Sequence, residues 1–397
     1  MATLLLIIIY IAFIGLGIPD SLFGTAWPAI YEEFGLSISM QSIISVTSCI
    51  CTIISSGLST RIIARFGTAR VAAVSTALTA LGLFGYAFTK SFLMFLLFVI
   101  PQGLGAGCID AGLNNYVALH YNARQMSFLH CFYGVGVSIS PYFLSLTLNG
   151  ADGWRGGYLI MASVQAAIAV ITILSLPLWG HVSKGSTVTC EEERIVPVPF
   201  LTLLRTPGVA AMWTVVLFGV AVECVAGLWS STYLVEARGL PVGNAALYTM
   251  LYYMGLASGR FISGLLVKGL GPWRMIVGGV GIAAAATVTM LFPIPDILAT
   301  VTLYLIGLGI GPLFPNATHL MPIMFGRERS QSIIGFQSSF SYTGIIVFPP
   351  LFGIIAQEIS PSLFVPYLGT LIAVLGGCLA TQSRRVLAAM RRSEDEV

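Results

Sequence analysis

Twelve times along this chain, a run of about twenty or more residues passes almost free of charge, and the basic residues collect in the breaks between the runs. Run length is the decisive constraint. At 1.5 Å of rise per residue, roughly 20 apolar residues cross the about 30 Å of hydrocarbon in a bilayer. The runs lie near 4–31, 38–59, 69–89, 92–118, 128–148, 157–178, 208–235, 245–266, 275–293, 297–321, 331–355 and 361–382. Backbone in lipid must satisfy its own hydrogen bonds, which leaves helices for runs of this kind. The expected fold class is therefore an all-α membrane protein of twelve transmembrane helices. Composition agrees: 56% of the residues are apolar and 9% charged, and the mean hydropathy is +0.90, outside the range of soluble domains. A formal charge of +3 over 397 residues excludes a nucleic-acid surface, so the lipid bilayer is the expected partner. Met1 to Ile14 lack the basic opening of a secretory leader and read as part of the first span. The seven cysteines sit mostly in apolar runs without metal-ligand spacing and read as core fillers; no metal site is expected.

The longest break, 179–206, carries Glu191, Glu192, Glu193, Arg194, Pro197 and Pro199 and reads as a solvated linker. It divides the chain into a six-helix bundle over 1–178 and a second over 207–382, with a tail at 383–397. Of nineteen Lys and Arg, all but Lys90, Arg155 and Arg238 fall on one side when alternate breaks are assigned to the same face. That bias places both termini in the cytoplasm and the protein in the cell membrane. The halves repeat each other. Gly103-Leu104-Gly105-Ala106-Gly107 in the fourth run recurs as Gly307-Leu308-Gly309-Ile310-Gly311 in the tenth. Asp20, Trp27 and Tyr31 in the first run are answered by Glu223, Trp229 and Tyr233 in the seventh.

Three carboxylates remain inside apolar helix: Asp20, Asp110 and Glu223. An acid at mid-helix costs about 2.5 to 3.5 kcal/mol on insertion scales, so such groups usually face a polar interior and mark an ion or solute path. Gly103, Gly107, Asp110 and Asn114 follow i, i+4, i+7, i+11 and share one helical face. The small residues there permit close packing, and Asn115 adds a neighbouring amide. His130 lies just past the turn into the fifth run, as a proton partner or a structural histidine. Asp20, Gly24, Trp27 and Tyr31 form a second stripe. Trp27 and Trp229 lie deep enough for their rings to face a solute, with packing as the alternative. Asn316, His319, Gln337 and Ser341 are neutral polar groups in apolar runs, and Asn316 and Gln337 are taken as solute-binding candidates. Arg260, about two turns from the end of the eighth run, is expected to snorkel to the interface.

Two duplicated six-span halves joined by a linker resemble the major facilitator superfamily, whose solute site lies between the halves near mid-bilayer. Arg65-Phe66-Gly67 resembles part of its basic loop signature, although Ala64 stands where that family has an acid. Cys108-Ile109-Asp110-Ala111-Gly112-Leu113-Asn114 is similar to the Cys-Leu-Glu-Thr-Ala-Ala-Asn of the fucose-permease branch, and Phe128-Leu129-His130-Cys131-Phe132 stands at its Gln-Thr-Phe segment. Asn115 replaces that branch's proline, and its Asn-Asp-Ile-Leu-Leu-Pro is not matched around Asp20 and Pro28. The resemblance implies a sugar:proton symporter, with Asp110 at the proton-coupling glutamate. Asp20 and His130 join it as proton-coupling candidates, and Asp20, Trp27, Asn114, Asn115, His130, Glu223, Trp229, Asn316 and Gln337 as binding candidates for a monosaccharide. No cofactor is expected beyond the coupling ion; sodium could take the proton's part. A drug or metabolite exporter working by proton antiport is the alternative. No His-Glu-x-x-His, Gly-x-Ser-x-Gly or phosphate loop is present, so an enzyme is not expected. The working unit is expected to be a monomer.

Overall fold

A computed structural model describes residues 2–121, 123–183 and 199–395. Fifteen α-helices follow one another among them: α1 (Ala2–Phe34), α2 (Gln41–Phe66), α3 (Thr68–Phe88), α4 (Phe92–His120), α5 (Ala123–Leu148), α6 (Gly153–Leu174), α7 (Leu176–Ser183), α8 (Phe200–Arg205), α9 (Val209–Glu236), α10 (Val242–Leu270), α11 (Pro272–Met290), α12 (Asp296–Ile310), α13 (Leu313–Phe325), α14 (Arg327–Glu358) and α15 (Phe364–Asp395). Among the described residues, twelve segments are long and apolar enough to cross a membrane, the tenth of them being α12 and α13 taken together.

The spans fall where hydropathy puts them, with instructive departures. The sixth stops at Leu174 rather than 178, because Pro177 has no N–H for a continuing ladder and instead opens the short α7. The tenth breaks at Gly311 and Pro312 for the same reason. The segment 383–395, expected as a tail, continues α15 without interruption. Of the 179–206 linker, α7 ends at Ser183 and α8 covers Phe200–Arg205, while the acidic run Glu191, Glu192 and Glu193 and also Arg194 lie outside the described residues.

The chain gathers into two compact units. One comprises Met1–Cys190 with Leu228–Met250 and Ala356–Pro361; the other comprises Glu191–Gly227 with Leu251–Ile355 and Ser362–Val397. In the first, α4 packs on α2 and α3, α1 on α5 and α6, and α3 on α6. An aromatic cluster of Trp27, Tyr86, Phe95, Trp154 and Tyr158 fills the space among α1, α3, α4 and α6. In the second, α11 packs against α12, α13 and α15.

Glycines set how closely the helices approach, and the repeated glycine motif works the same way in each unit. In α4, a Cβ on Gly103 or Gly107 would collide with α2 at Ser48 or Thr52, and one on Gly105 would collide with α3 at Ser75. In α12 and at its C-cap, Gly307 and Gly311 press on α10 at Tyr252 and Leu256, and Gly309 presses on α11 at Gly279. Spacing by two residues turns successive glycines to different neighbours, so one five-residue stretch admits two helices to backbone contact. Polar side chains then close the α2–α4 seam: Ser48 Oγ donates to Gln102 Oε1 at 3.1 Å and Thr52 Oγ1 to Gly103 O at 3.2 Å. The turns after α2 and α10 repeat as well. Gly67 and Gly271 share φ 80°, with ψ 150° and 151°, a region that only glycine occupies without strain.

Candidate functional site

The first unit contains Asp20, Trp27, Asp110, Asn114, Asn115, His130 and Trp229; the second contains Glu223, Asn316 and Gln337. On α4, the Asn114 amide Nδ2 donates to Asp110 Oδ1 at 2.8 Å. The four-residue spacing brings the two side chains onto one face, and both are partly exposed. Asn115, one residue on, is exposed and points away from that pair's stripe.

Asp20 sits at mid-length in α1 and is exposed, although Pro19 and Ser21 on either side are buried. The Tyr133 hydroxyl on α5 donates to Asp20 Oδ2 at 2.7 Å. The contact follows from the α1–α5 crossing. A Cβ on Gly17 would collide with the carbonyl oxygen of Tyr133, and one on Gly136 with Ile14 O. With the backbones this close, Tyr133 reaches the carboxylate one turn further along α1. Asp110 and Asp20 are near enough to act on each other electrostatically. Neither carboxylate forms an ion pair among the described residues. His130 is exposed on α5, its ring edge-on to Phe13 with centroids 6.0 Å apart.

The two tryptophans do not present open ring faces. Trp27 is fully buried, its Nε1 donates to Ile38 O at 2.9 Å, and Phe23 and Tyr31 flank it. Trp229 is fully buried as well. Both belong to a seam at the end of the first unit where Gln41 Nε2 donates to Leu228 O at 2.8 Å and Ser231 Oγ to Thr25 O at 3.0 Å. Tyr31 donates to Glu236 at the same end, and Glu33 is held by Trp154 and Arg155. Trp27 and Trp229, expected to face a solute or to pack, are both packed in this structure.

In the second unit, Glu223 on α9 is not a lone acid. Arg260 on α10 donates Nη2 to its Oε1 at 2.8 Å, and Tyr252 donates its hydroxyl to the Glu223 backbone carbonyl at 2.8 Å. This corrects the reading of Arg260 as a snorkelling residue: a carboxylate lies within its reach, and neutralising it there outweighs extension to the interface. Asn316 is buried and bonds Ser263 Oγ and Pro312 O, both at 2.7 Å. Gln337 is buried on α14 and donates to Thr318 Oγ1 at 2.7 Å, while its Oε1 has no partner. As binding groups, Asn316 and Gln337 are therefore committed to inter-helix bonds in this structure.

Sequence reasoning missed Tyr133 and the Glu223–Arg260 pair. No local pattern announces a contact between residues 113 apart, such as Tyr133 and Asp20.

The sequence profile described as Major Facilitator Superfamily matches residues 9–349. An uncharacterized MFS-type transporter of Yersinia pestis is 24% identical over 169 residues, 41% of this chain and 39% of the relative, so the chain spans about two fifths of that protein's length. A probable nitrate/nitrite antiporter of Thermus thermophilus is 24% identical over 360 residues, 83% of this chain and 80% of the relative. Among solved structures, a D-xylose-proton symporter superposes with a TM-score of 0.74 over 94% of this chain and 96% of its own at 14% identity, a likeness of fold.

Proposed function

The chain belongs to the Major Facilitator Superfamily, an integral-membrane family of transporters rather than enzymes, and on that premise we propose that it carries a small polar solute, a monosaccharide, in symport with protons across the cell membrane. Both termini lie in the cytoplasm, the protein works as a monomer, and the 1–178 and 207–382 bundles alternate the access of a central site. The observation that carries this reading is the pair of intramembrane carboxylates in the first unit, Asp20 and Asp110, each bonded by a neutral donor and neither matched by a base among the described residues. An acid held this way can take up and give back a proton without a permanent counter-ion to displace. Glu223, compensated by Arg260, is the contrasting case.

The coupling energy is adequate. One charge moving through 100 mV is worth about 2.3 kcal/mol, roughly a fifty-fold concentration ratio. The amide of Asn114 beside Asp110 suits a hydroxyl-rich solute, and the fucose-permease resemblance around Asp110 and His130 supports a sugar. The xylose-transporting fold neighbour supports the architecture only. The test is a panel of monosaccharides added to proteoliposomes holding the purified protein, with external pH recorded. Solute-induced external alkalinisation is the expected result. Acidification would indicate antiport, and a response that requires sodium would move the coupling to that ion.

A further inference from the structure

We infer that Tyr133 is the positioning residue of the coupling pair: its hydroxyl fixes one oxygen of Asp20 and so controls how readily that carboxylate holds a proton. The inference rests on the proposed proton coupling and adds to it a control element on a different helix.

Three observations carry it. The bond is short and well formed, Tyr133 hydroxyl to Asp20 Oδ2 at 2.7 Å, and it occupies one carboxylate oxygen only; the other has no protein partner among the described residues. The donor is held in place by backbone as well as by rotamer choice. Gly17 admits the carbonyl oxygen of Tyr133 itself, and Gly136 admits Ile14 O, where a Cβ at either glycine would collide, so α1 and α5 cross at backbone contact. Tyr10 repeats the clamp lower on the same pair of helices, donating to Gln125 O at 3.1 Å and stacking on Phe132 with centroids 4.8 Å apart. Finally, the two acids have separate donors: Tyr133 from α5 serves Asp20, and Asn114 from α4 itself serves Asp110. Among the described residues, Tyr133 from α5 bonds Asp20 and Asp110 from α4 is the carboxylate set near it. A hydroxyl donor to a carboxylate favours its charged state, and removing it shifts the balance toward the protonated acid.

Dicyclohexylcarbodiimide modifies protonated carboxyl groups in apolar surroundings and needs no knowledge of the solute. Purified full-length protein in detergent is treated at pH 7, and modification of Asp20 and Asp110 is followed separately by peptide mass spectrometry. In Tyr133→Phe the rate at Asp20 should rise roughly ten-fold, the effect of one lost bond to a charged group, with a much smaller change at Asp110. Asn114→Leu should reverse the pattern. Equal rates at Asp20 in wild type and Tyr133→Phe, or equal rises at both acids, would overturn the inference and leave proton coupling standing. If neither acid of the wild type reacts at any pH, the proton-coupling reading falls and takes this inference with it. Should Tyr133→Phe fail to fold, Asp20→Asn reads the same bond from the other side. Nitration of Tyr133 by tetranitromethane should then increase several-fold as its charged acceptor becomes an amide, and an unchanged rate sinks the assignment.

Discussion

Arg260 and Glu223 neutralise each other across 2.8 Å between α10 and α9, with 18% and 24% of their side-chain surfaces exposed. An acid and a base this well covered are worth little as a net pair, but each is costly when left alone. That asymmetry separates this pair from the unmatched acids of the first unit.

Glu223→Gln is therefore expected to destabilise the protein by about 1–3 kcal/mol, because it strands the guanidinium of Arg260 in a partly covered site. Glu223→Gln with Arg260→Met should recover most of that loss. Thermal unfolding in detergent, followed for both single variants and the double, completes the cycle; a loss in the double equal to the sum of the two single losses would show that the two side chains do not interact.

Asp110→Asn should abolish proton-driven accumulation while sparing energy-independent counterflow. The amide keeps the size of the carboxylate and can still meet Asn114, so solute binding and exchange survive, whereas proton release does not. Asp110→Glu should retain part of the uphill activity. Uphill uptake and counterflow measured in the same proteoliposomes distinguish the cases, and normal accumulation by Asp110→Asn would take this residue out of the coupling step.

Gly107→Ala and Gly57→Ala should differ in sign. A methyl group on Gly107 runs into Thr52 O on α2, so α2 and α4 must separate, at a cost of about 1–3 kcal/mol. A methyl on Gly57 meets nothing within 4 Å, and the helix gains about 0.5–1 kcal/mol of propensity. Unfolding midpoints of the two variants give the comparison directly.

Thr202→Cys and Lys90→Cys, each in a cysteine-depleted background, test the orientation. Both positions are exposed. An impermeant maleimide added to intact cells should label the cysteine at 90 and spare the one at 202, because the basic residues concentrate on the side of the 179–206 linker. Labelling at 202 alone would invert the topology.

The sequence was informative wherever a property is fixed by one helix. Span positions follow from length and hydropathy, and the Asp110–Asn114 bond follows from four-residue spacing within α4. Gly103 and Gly107 on one face of α4 also signal close packing within a single helix. What stayed hidden depends on which helices are neighbours and how each is rotated. Tyr133 meets Asp20, and Arg260 meets Glu223, only because α1 crosses α5 and α9 crosses α10. The burial of Trp27 and Trp229 was hidden for a related reason. The stripe of Asp20, Gly24, Trp27 and Tyr31 marks one face of α1, but the neighbouring helices decide which part of that face is packed.

The seam in the first unit is built largely on main-chain acceptors: Gln41 bonds to Leu228 O, Ser231 to Thr25 O and Trp27 to Ile38 O. Every residue type carries the same carbonyl, so half of each of these contacts is indifferent to mutation. Leu228 can drift among apolar side chains while its oxygen goes on serving Gln41, whereas Gln41 itself has no such latitude. A substitution survey would thus score 228 as tolerant and 41 as sensitive, although both ends of the bond are in equal use, and relatives could share this closure with little common spelling on the acceptor side.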